Sequence, residues 1–247
     1  MEDYQLLAST EDEYGSVAVL ELGDTRILTF GFHDEQSKLN KKAPHQPQHT
    51  YLKAMLMSLL YGTPKRVIVL GLGGGLLVHS LRKFDPAIKI TAVELRESVI
   101  NIAKQYFMLP LSKKLTLVQQ DAFEYMASRD DRRVDVIYSD LFHGDGMAEM
   151  QRDAEFLDNC LYQLKDNGLL VLNCWKEART DEELRQQLLS RFADVRACLT
   201  GSGNWVVFAA RRPQVFTQAG LKQLAQNLSS KLEFDLSQTL TKFEMWR

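Results

Sequence analysis

The chain has 247 residues, of which 45% are apolar and 25% charged, with a formal net charge of −2. These proportions belong to folded globular proteins and exclude disordered and fibrous classes. So small a charge leaves no electrostatic footprint for nucleic acid or an anionic membrane, and no apolar run approaches the roughly 20 residues that span a bilayer.

The start, Met1-Glu-Asp-Tyr, is acidic and lacks the apolar core of a secretory signal. Short strands are predicted at Leu6-Leu-Ala-Ser-Thr, Ser16-Val-Ala-Val-Leu-Glu-Leu and Arg26-Ile-Leu-Thr-Phe, the last two joined as a hairpin by Gly23-Asp24. The polar stretch from Asp34 to His49, with Pro44 and Pro47, reads as a loop. A helix is predicted over Thr50 to Tyr61, where Leu52, Met55, Leu56 and Leu59 recur near helical spacing.

From Lys65 the rhythm changes. Apolar runs at Val67-Ile-Val-Leu, Ile88-Lys-Ile-Thr-Ala-Val, Leu115-Thr-Leu-Val and Val134-Asp-Val-Ile-Tyr are each followed by a helical pattern, at 76–84, 98–107, 122–128 and 148–164. Leu169-Leu-Val-Leu, a helix over 182–192 and strands at Val195–Leu199 and Trp205–Ala210 complete the series. Strands alternating with helices need right-handed crossovers and a mostly parallel sheet covered on both faces. The last two strands, with no helix between them, bring an antiparallel strand to one end. The expectation is a Rossmann-like, doubly wound α/β fold with a mostly parallel seven-stranded sheet and a small N-terminal β domain. Residues 1–46 would form that domain and its loop, and residues 47–247 the nucleoside-binding domain, with a helical tail from Pro213 to about Leu232. Cys160, Cys174 and Cys198 form no CxxC pair and no zinc-spaced cluster, so buried free thiols, a cytoplasmic setting and no metal are expected.

The residues with chemical potential lie where parallel strands end. Val67-Ile-Val-Leu-Gly71-Leu-Gly73-Gly74-Gly75 turns from a strand into a helix, where bare backbone lets a ligand approach the helix N-terminus. Glu94 ends the next strand, where a carboxylate can accept both ribose hydroxyls. Asp121 follows the third strand, beside Ala122. It can cap the following helix or accept from an adenine amino group, and the two roles are compatible. Asp140 ends the fourth strand, across the switch point, where it can orient or deprotonate an amine. His143, Asp145 and His49 are weaker candidates, and Tyr51 on its own reads as a core residue. No nucleophile-elbow, Walker or HExxH motif is present.

Val67 to Gly75, Thr91-Ala-Val-Glu-Leu, Gln120-Asp121-Ala122 and Asp135-Val-Ile-Tyr-Ser-Asp140-Leu, in this order, resemble the spermidine synthase (polyamine aminopropyltransferase) family. Phe32-His-Asp-Glu-Gln36-Ser and Thr50-Tyr51 resemble the segments that flank the transferred chain there. The resemblance implies that Glu94 holds the ribose, that Asp121 and Ala122 hold the adenine, and that Gln36 and Tyr51 line the transferred group. Asp140 would be the base or anchor for the attacking amine. It also implies a homodimer, a small amine acceptor and an S-adenosyl sulfonium donor, either S-adenosylmethionine or its decarboxylated form.

The chain departs from that family on the side of the cations. Gly74 stands where the glycine loop of the family carries an aspartate, and His143 stands where it has a second aspartate. The segment bearing an acceptor-facing tyrosine is shortened to Thr200-Gly-Ser-Gly-Asn204. A divergent aminopropyltransferase is therefore the first expectation. A methyltransferase using intact S-adenosylmethionine and a silent nucleoside-binding module are its rivals.

Overall fold

The computed structural model describes residues 4–31, 34–128, 132–143, 146–147 and 149–246. Phe32, His33 and Asp145 lie outside them. Four antiparallel strands in sequence order build the N-terminal sheet: β1 (Gln5–Asp12), β2 (Gly15–Leu22), β3 (Thr25–Phe30) and β4 (Asp34–Asn40). The fourth replaces the first part of the loop expected from Asp34. Its buried positions are Ser37 and Leu39, so the apolar alternation that announces a strand is broken by a serine.

After β4 come α1 (Thr50–Met55), β5 (Arg66–Leu70), α2 (Leu76–Phe84), β6 (Lys89–Glu94), α3 (Glu97–Tyr106), β7 (Leu115–Gln119), α4 (Ala122–Ala127) and β8 (Val134–Ser139). Two short paired strands follow, β9 (Phe142–His143) and β10 (Gly146–Met147). The chain continues through α5 (Ala154–Gln163), β11 (Leu164–Trp175), α6 (Glu182–Arg191), β12 (Asp194–Leu199), β13 (Asn204–Ala210), α7 (Gln218–Leu232), α8 (Ser237–Leu240) and β14 (Phe243–Met245).

The helix expected over Thr50–Tyr61 tightens into a 3-10 turn at Leu56 and stops at Gly62, whose φ of 141° is a glycine conformation. The pattern at 148–164 likewise divides, because Asp153 is extended between a 3-10 turn and α5. Pro213 to Phe216 remain outside any helix, and the tail helix starts only where the Thr217 side chain caps the Gly220 N–H.

The main sheet runs β14-β12-β13-β11-β8-β5-β6-β7. The five strands from β11 to β7 are parallel, and β13, β12 and β14 each meet their neighbours antiparallel. The sheet thus has eight strands rather than seven, the eighth being the short tail strand β14 on the β12 edge. Strand residues alternate between two cores, as burial on both faces requires. Val67, Val69, Val136 and Tyr138 face the core shared with α2, α3 and α7. Ile68, Leu70, Ile137 and Leu172 face the core shared with α5 and α6. Among the described residues no helix is long and apolar enough to cross a membrane.

The N-terminal sheet is tied to the start of α3. Arg96, 6% exposed, donates from Nε to Asp12 Oδ2 at 3.0 Å and from Nη2 to Asp12 Oδ1 at 2.7 Å and the Gly15 carbonyl at 2.7 Å. Its guanidinium lies 4.6 Å from the Phe30 ring centroid.

Candidate active site

The strand order reverses at β5, which has β8 on one side and β6 on the other. The carboxyl ends of β8, β5, β6 and β7 therefore present Asp140, the glycine turn, Glu94 and Asp121 side by side. Such a switch point opens the crevice in which doubly wound sheets bind nucleosides.

The glycine turn is shaped by its neighbours. The Gly71 N–H donates to Val93 O at 2.9 Å, and the Asp140 N–H donates to Leu70 O at 2.9 Å. A Cβ at Gly71, where φ is 87°, would overlap the Asp140 carbonyl, so only glycine lets these strand ends approach. Gly73 and Gly74 lie under β4: the Gly74 N–H donates to Ser37 Oγ at 2.9 Å. A Cβ at Gly74 would sit 2.7 Å from the Phe107 ring and 3.0 Å from the Ser37 Cβ. The place where the resemblance puts an aspartate is thus closed by Phe107 and Ser37.

Glu94 braces the turn. Its Oε2 accepts from the Leu72 N–H at 2.9 Å and the Gly73 N–H at 3.4 Å, and its Oε1 from the Arg96 N–H at 3.1 Å. Asp121 is the N-cap of α4, with Oδ1 accepting from the Phe123 and Glu124 N–H groups at 2.8 and 3.0 Å. Ala122 is the first residue of that helix, and its N–H has no acceptor within the helix.

On the other side of the turn, a cavity of about 230 Å³ is lined by Asp34, Glu35 and Gln36 of β4, His49 and Tyr51 of the α1 start, Phe142, Asn173 and Trp175, and Ser202 and Asn204. Ser58 and Tyr138 share a buried hydrogen bond of 2.8 Å, which anchors the segment after α1 to the strand that ends in Asp140. Tyr51 reaches the Asp140 carboxyl through its hydroxyl, and Asn173 Nδ2 donates to Asp140 Oδ1 at 2.8 Å. Removal from water pushes the Asp140 carboxyl up to about 6, against the lowering effect of those two hydrogen bonds. Burial also raises the Tyr51 hydroxyl well above its ordinary value, with the Asp140 charge adding to it.

Gln36 Nε2 donates to Asp34 Oδ2 at 2.6 Å, and burial raises that carboxyl in spite of the bond. His49 stacks on Tyr51 at 5.4 Å, and burial lowers its pKa although Glu35, 3.7 Å away, acts the other way. Phe142 and Trp175 meet edge to face at 5.3 Å and supply an apolar wall.

Tyr51 and Gln36 thus line one cavity, Asp140 lies against its wall through Tyr51 and Asn173, and Gly71, Gly73, Gly74, Glu94, Asp121 and Ala122 follow along the adjoining sheet edge. The His143 backbone pairs with Gly146, while its side chain lies outside the described residues. Sequence reasoning missed Asn173, Asn204, Ser202 and Trp175. These are single polar or aromatic residues near strand ends or, for Ser202, in the loop between β12 and β13, with no motif to mark them. Ser37 was visible only as the neighbour of Gln36.

Fold and site together define a doubly wound α/β domain with an acid-lined cavity beside its switch point. The chain matches the profile described as the Spermine/spermidine synthase domain over residues 48–201. It belongs to that family. A polyamine aminopropyltransferase of Neisseria meningitidis is 28% identical over 243 residues, covering 96% of this chain and 92% of that protein. An eEF1A lysine and N-terminal methyltransferase of Danio rerio is 27% identical over 201 residues, covering 74% of this chain and 28% of that protein. The fold is shared with the crystal structure of a probable spermidine synthase from Corynebacterium glutamicum, with a TM-score of 0.79 at 17% identity, covering 96% of this chain and 89% of that one.

Proposed function

We propose that this chain transfers an aminopropyl group from decarboxylated S-adenosylmethionine to a small primary amine, with Asp140 as the base. The observation that carries this reading is the order of groups along one sheet edge: Tyr51 and Asp140, then the glycine turn, then Glu94, then Asp121. Its relatives named polyamine aminopropyltransferase support the same reaction.

The residues fit such a donor. Glu94 takes the ribose hydroxyls, Asp121 the adenine amino group, and the Ala122 N–H an adenine nitrogen. Gln36 and Tyr51 line the transferred chain, and Asp34 and Glu35 offset an ammonium group entering the cavity. The sulfonium makes its neighbouring carbon electrophilic and departs as a neutral thioether. As the amine nitrogen forms its bond to that carbon and the carbon–sulfur bond breaks, Asp140 receives the proton that nitrogen loses. With a carboxyl titrating at about 6, Asp140 is ionised at neutral pH and still basic enough to take that proton. Tyr51 and the walls of the cavity act by holding nitrogen and carbon in line.

A second reading, methyl transfer from intact S-adenosylmethionine, is favoured by one observation: the glycine turn offers no carboxylate at Gly74 to repel the donor's own. The proposed setting is the cytoplasm, in keeping with the buried free thiols of Cys160, Cys174 and Cys198. The same proposal includes a homodimer, and a division into residues 1–46 and 47–247.

Calorimetric titration with decarboxylated and intact S-adenosylmethionine, followed by mass spectrometry of products from a panel of amines, tests the reading. Tighter binding of the decarboxylated donor and an aminopropylated product are expected. Tighter binding of the intact donor with a methylated product would replace the reading with the second one, and binding of neither would remove the nucleoside site.

A further inference from the structure

Asp140 directly follows β8 beside β11, whose register continues from the Leu172↔Ser139 pair and so brings Asn173 to its side. Asn173 Nδ2 donates to Asp140 Oδ1 at 2.8 Å, and Asn173 Oδ1 accepts from Asn204 Nδ2 at 3.1 Å. Asn204 Oδ1 in turn accepts from the Ser202 hydroxyl at 2.8 Å, and Ser202 Oγ lies 2.7 Å from the Thr50 hydroxyl, next to Tyr51. The two asparagines are only 1% and 4% exposed, so their amides rely chiefly on protein partners.

We propose that Asn173 and Asn204 are positioning residues for Asp140, two amides in series that keep a hydrogen-bond donor on its carboxylate and fix its aim. The inference rests on the reading of Asp140 as the base. A primary amide has one accepting end and one donating end, so orienting one member of the series orients the next. If Asn173 were reversed, its carbonyl oxygen would face the Asp140 carboxylate and its amino group would face that of Asn204. Both contacts are unfavourable. Ser202, whose hydroxyl can donate or accept, completes the series by donating to Asn204. The series also links the loop after β12 to the start of α1, so both ends of the acceptor cavity hold the same carboxylate. The titratable groups around that cavity are Tyr51 of α1, His49 before it, and Asp34 and Glu35 of β4, with no lysine or arginine lining it among the described residues. Asn173 is therefore the neutral donor that favours the ionised form of Asp140, in company with Tyr51.

The test is Asn173→Leu, which keeps the volume and removes the donor, measured beside the parent protein. The acid limb of kcat/KM for the amine is expected to move up by about one pH unit. Turnover at neutral pH should fall by about twofold from the lost ionisation and recover that loss in alkali, while affinity for methylthioadenosine stays within about threefold. A merely structural role would lower turnover equally at every pH. A ¹³C titration of the Asp140 carboxyl in both proteins reads the same rise without any turnover. A parent protein inactive on every amine, yet showing that rise in the variant, would overturn the proposed reaction and not the clamp. An acid limb and a carboxyl titration unchanged in Asn173→Leu would overturn the clamp. Should that variant not fold, Asn204→Ala, which removes the group that orients Asn173, is measured in the same way. The same rise is expected there, and an unchanged acid limb and carboxyl titration would again overturn the clamp.

Discussion

Asp140 sets the pH dependence. Its carboxyl is raised from an ordinary 3.8 to about 6, so a reaction that needs the carboxylate should lose rate as pH falls through about 6 and hold above it. The sign for stability is opposite: a raised carboxyl favours the folded state fully in acid, and that contribution is lost as pH rises through the folded value. Asp140→Asn should abolish turnover and leave methylthioadenosine affinity within about threefold, whereas undiminished turnover would remove Asp140 from the chemistry. Glu94→Ala should weaken binding of the same nucleoside by about 1.5–3 kcal/mol, the usual worth of a hydrogen-bonded charged group. Calorimetry gives that number directly, and a Kd equal to the parent's would refute the ribose assignment. Gly74→Asp must push a side chain against Phe107 and Ser37, with a Cβ only 2.7 Å from the ring. That overpacking should cost about 1–3 kcal/mol and lower the melting temperature, so a variant that melts like the parent would mean that this wall yields.

At the level of elements, the β1–β2 hairpin and the start of α3 act as one clamp through Asp12, Arg96 and Ser98. Burial opposes ionisation of Asp12, but the hydrogen bonds from Arg96 and Ser98 outweigh it and hold the carboxyl below 3.8. A lowered carboxyl stabilises the fold above its ordinary value and loses that contribution as pH falls through the folded one. The N-terminal sheet should therefore loosen first when the protein is taken below about pH 4, seen as early loss of amide protection in β1 and β2 by hydrogen exchange. In Asp12→Asn the same loss is expected already at neutral pH, and identical exchange in the two proteins would show that the clamp does not hold the sheet. The clamp also matters to the site, because the backbone N–H of Arg96 donates to Glu94.

Over the whole molecule, the tail closes the fold. Ala225, Leu228 and Leu232 of α7 and Phe243 of β14 complete the core on the α2 side, and Trp246 packs on Trp205 at 5.6 Å. Truncation after Arg212 would bare this apolar face and leave β12 as an open edge, a template for pairing with other chains. The truncated protein should aggregate at concentrations where the full chain stays dispersed, as light scattering would record. A monodisperse truncated protein with the parent's melting temperature would show the tail to be dispensable.

Much of this was legible in local sequence. Buried parallel strands are continuous apolar runs, and the residues at or just beyond each strand end are named by counting, which is why Gly71, Glu94, Asp121 and Asp140 could be picked out as candidates. The tertiary structure decided the rest. β4 escaped notice because an inward position is Ser37, which satisfies the Gly74 N–H instead of filling a core. β14 is a three-residue strand, and such a piece is stabilised only by the edge it joins. Asn204 lies 31 residues beyond Asn173, and only sheet register brings the two amides into line behind Asp140. The proton affinity of Asp140 and the closing of the loop by Phe107 were likewise beyond any motif. Local periodicity encodes which elements form and where they end, whereas burial, dielectric and packing belong to groups that meet only when distant segments fold together.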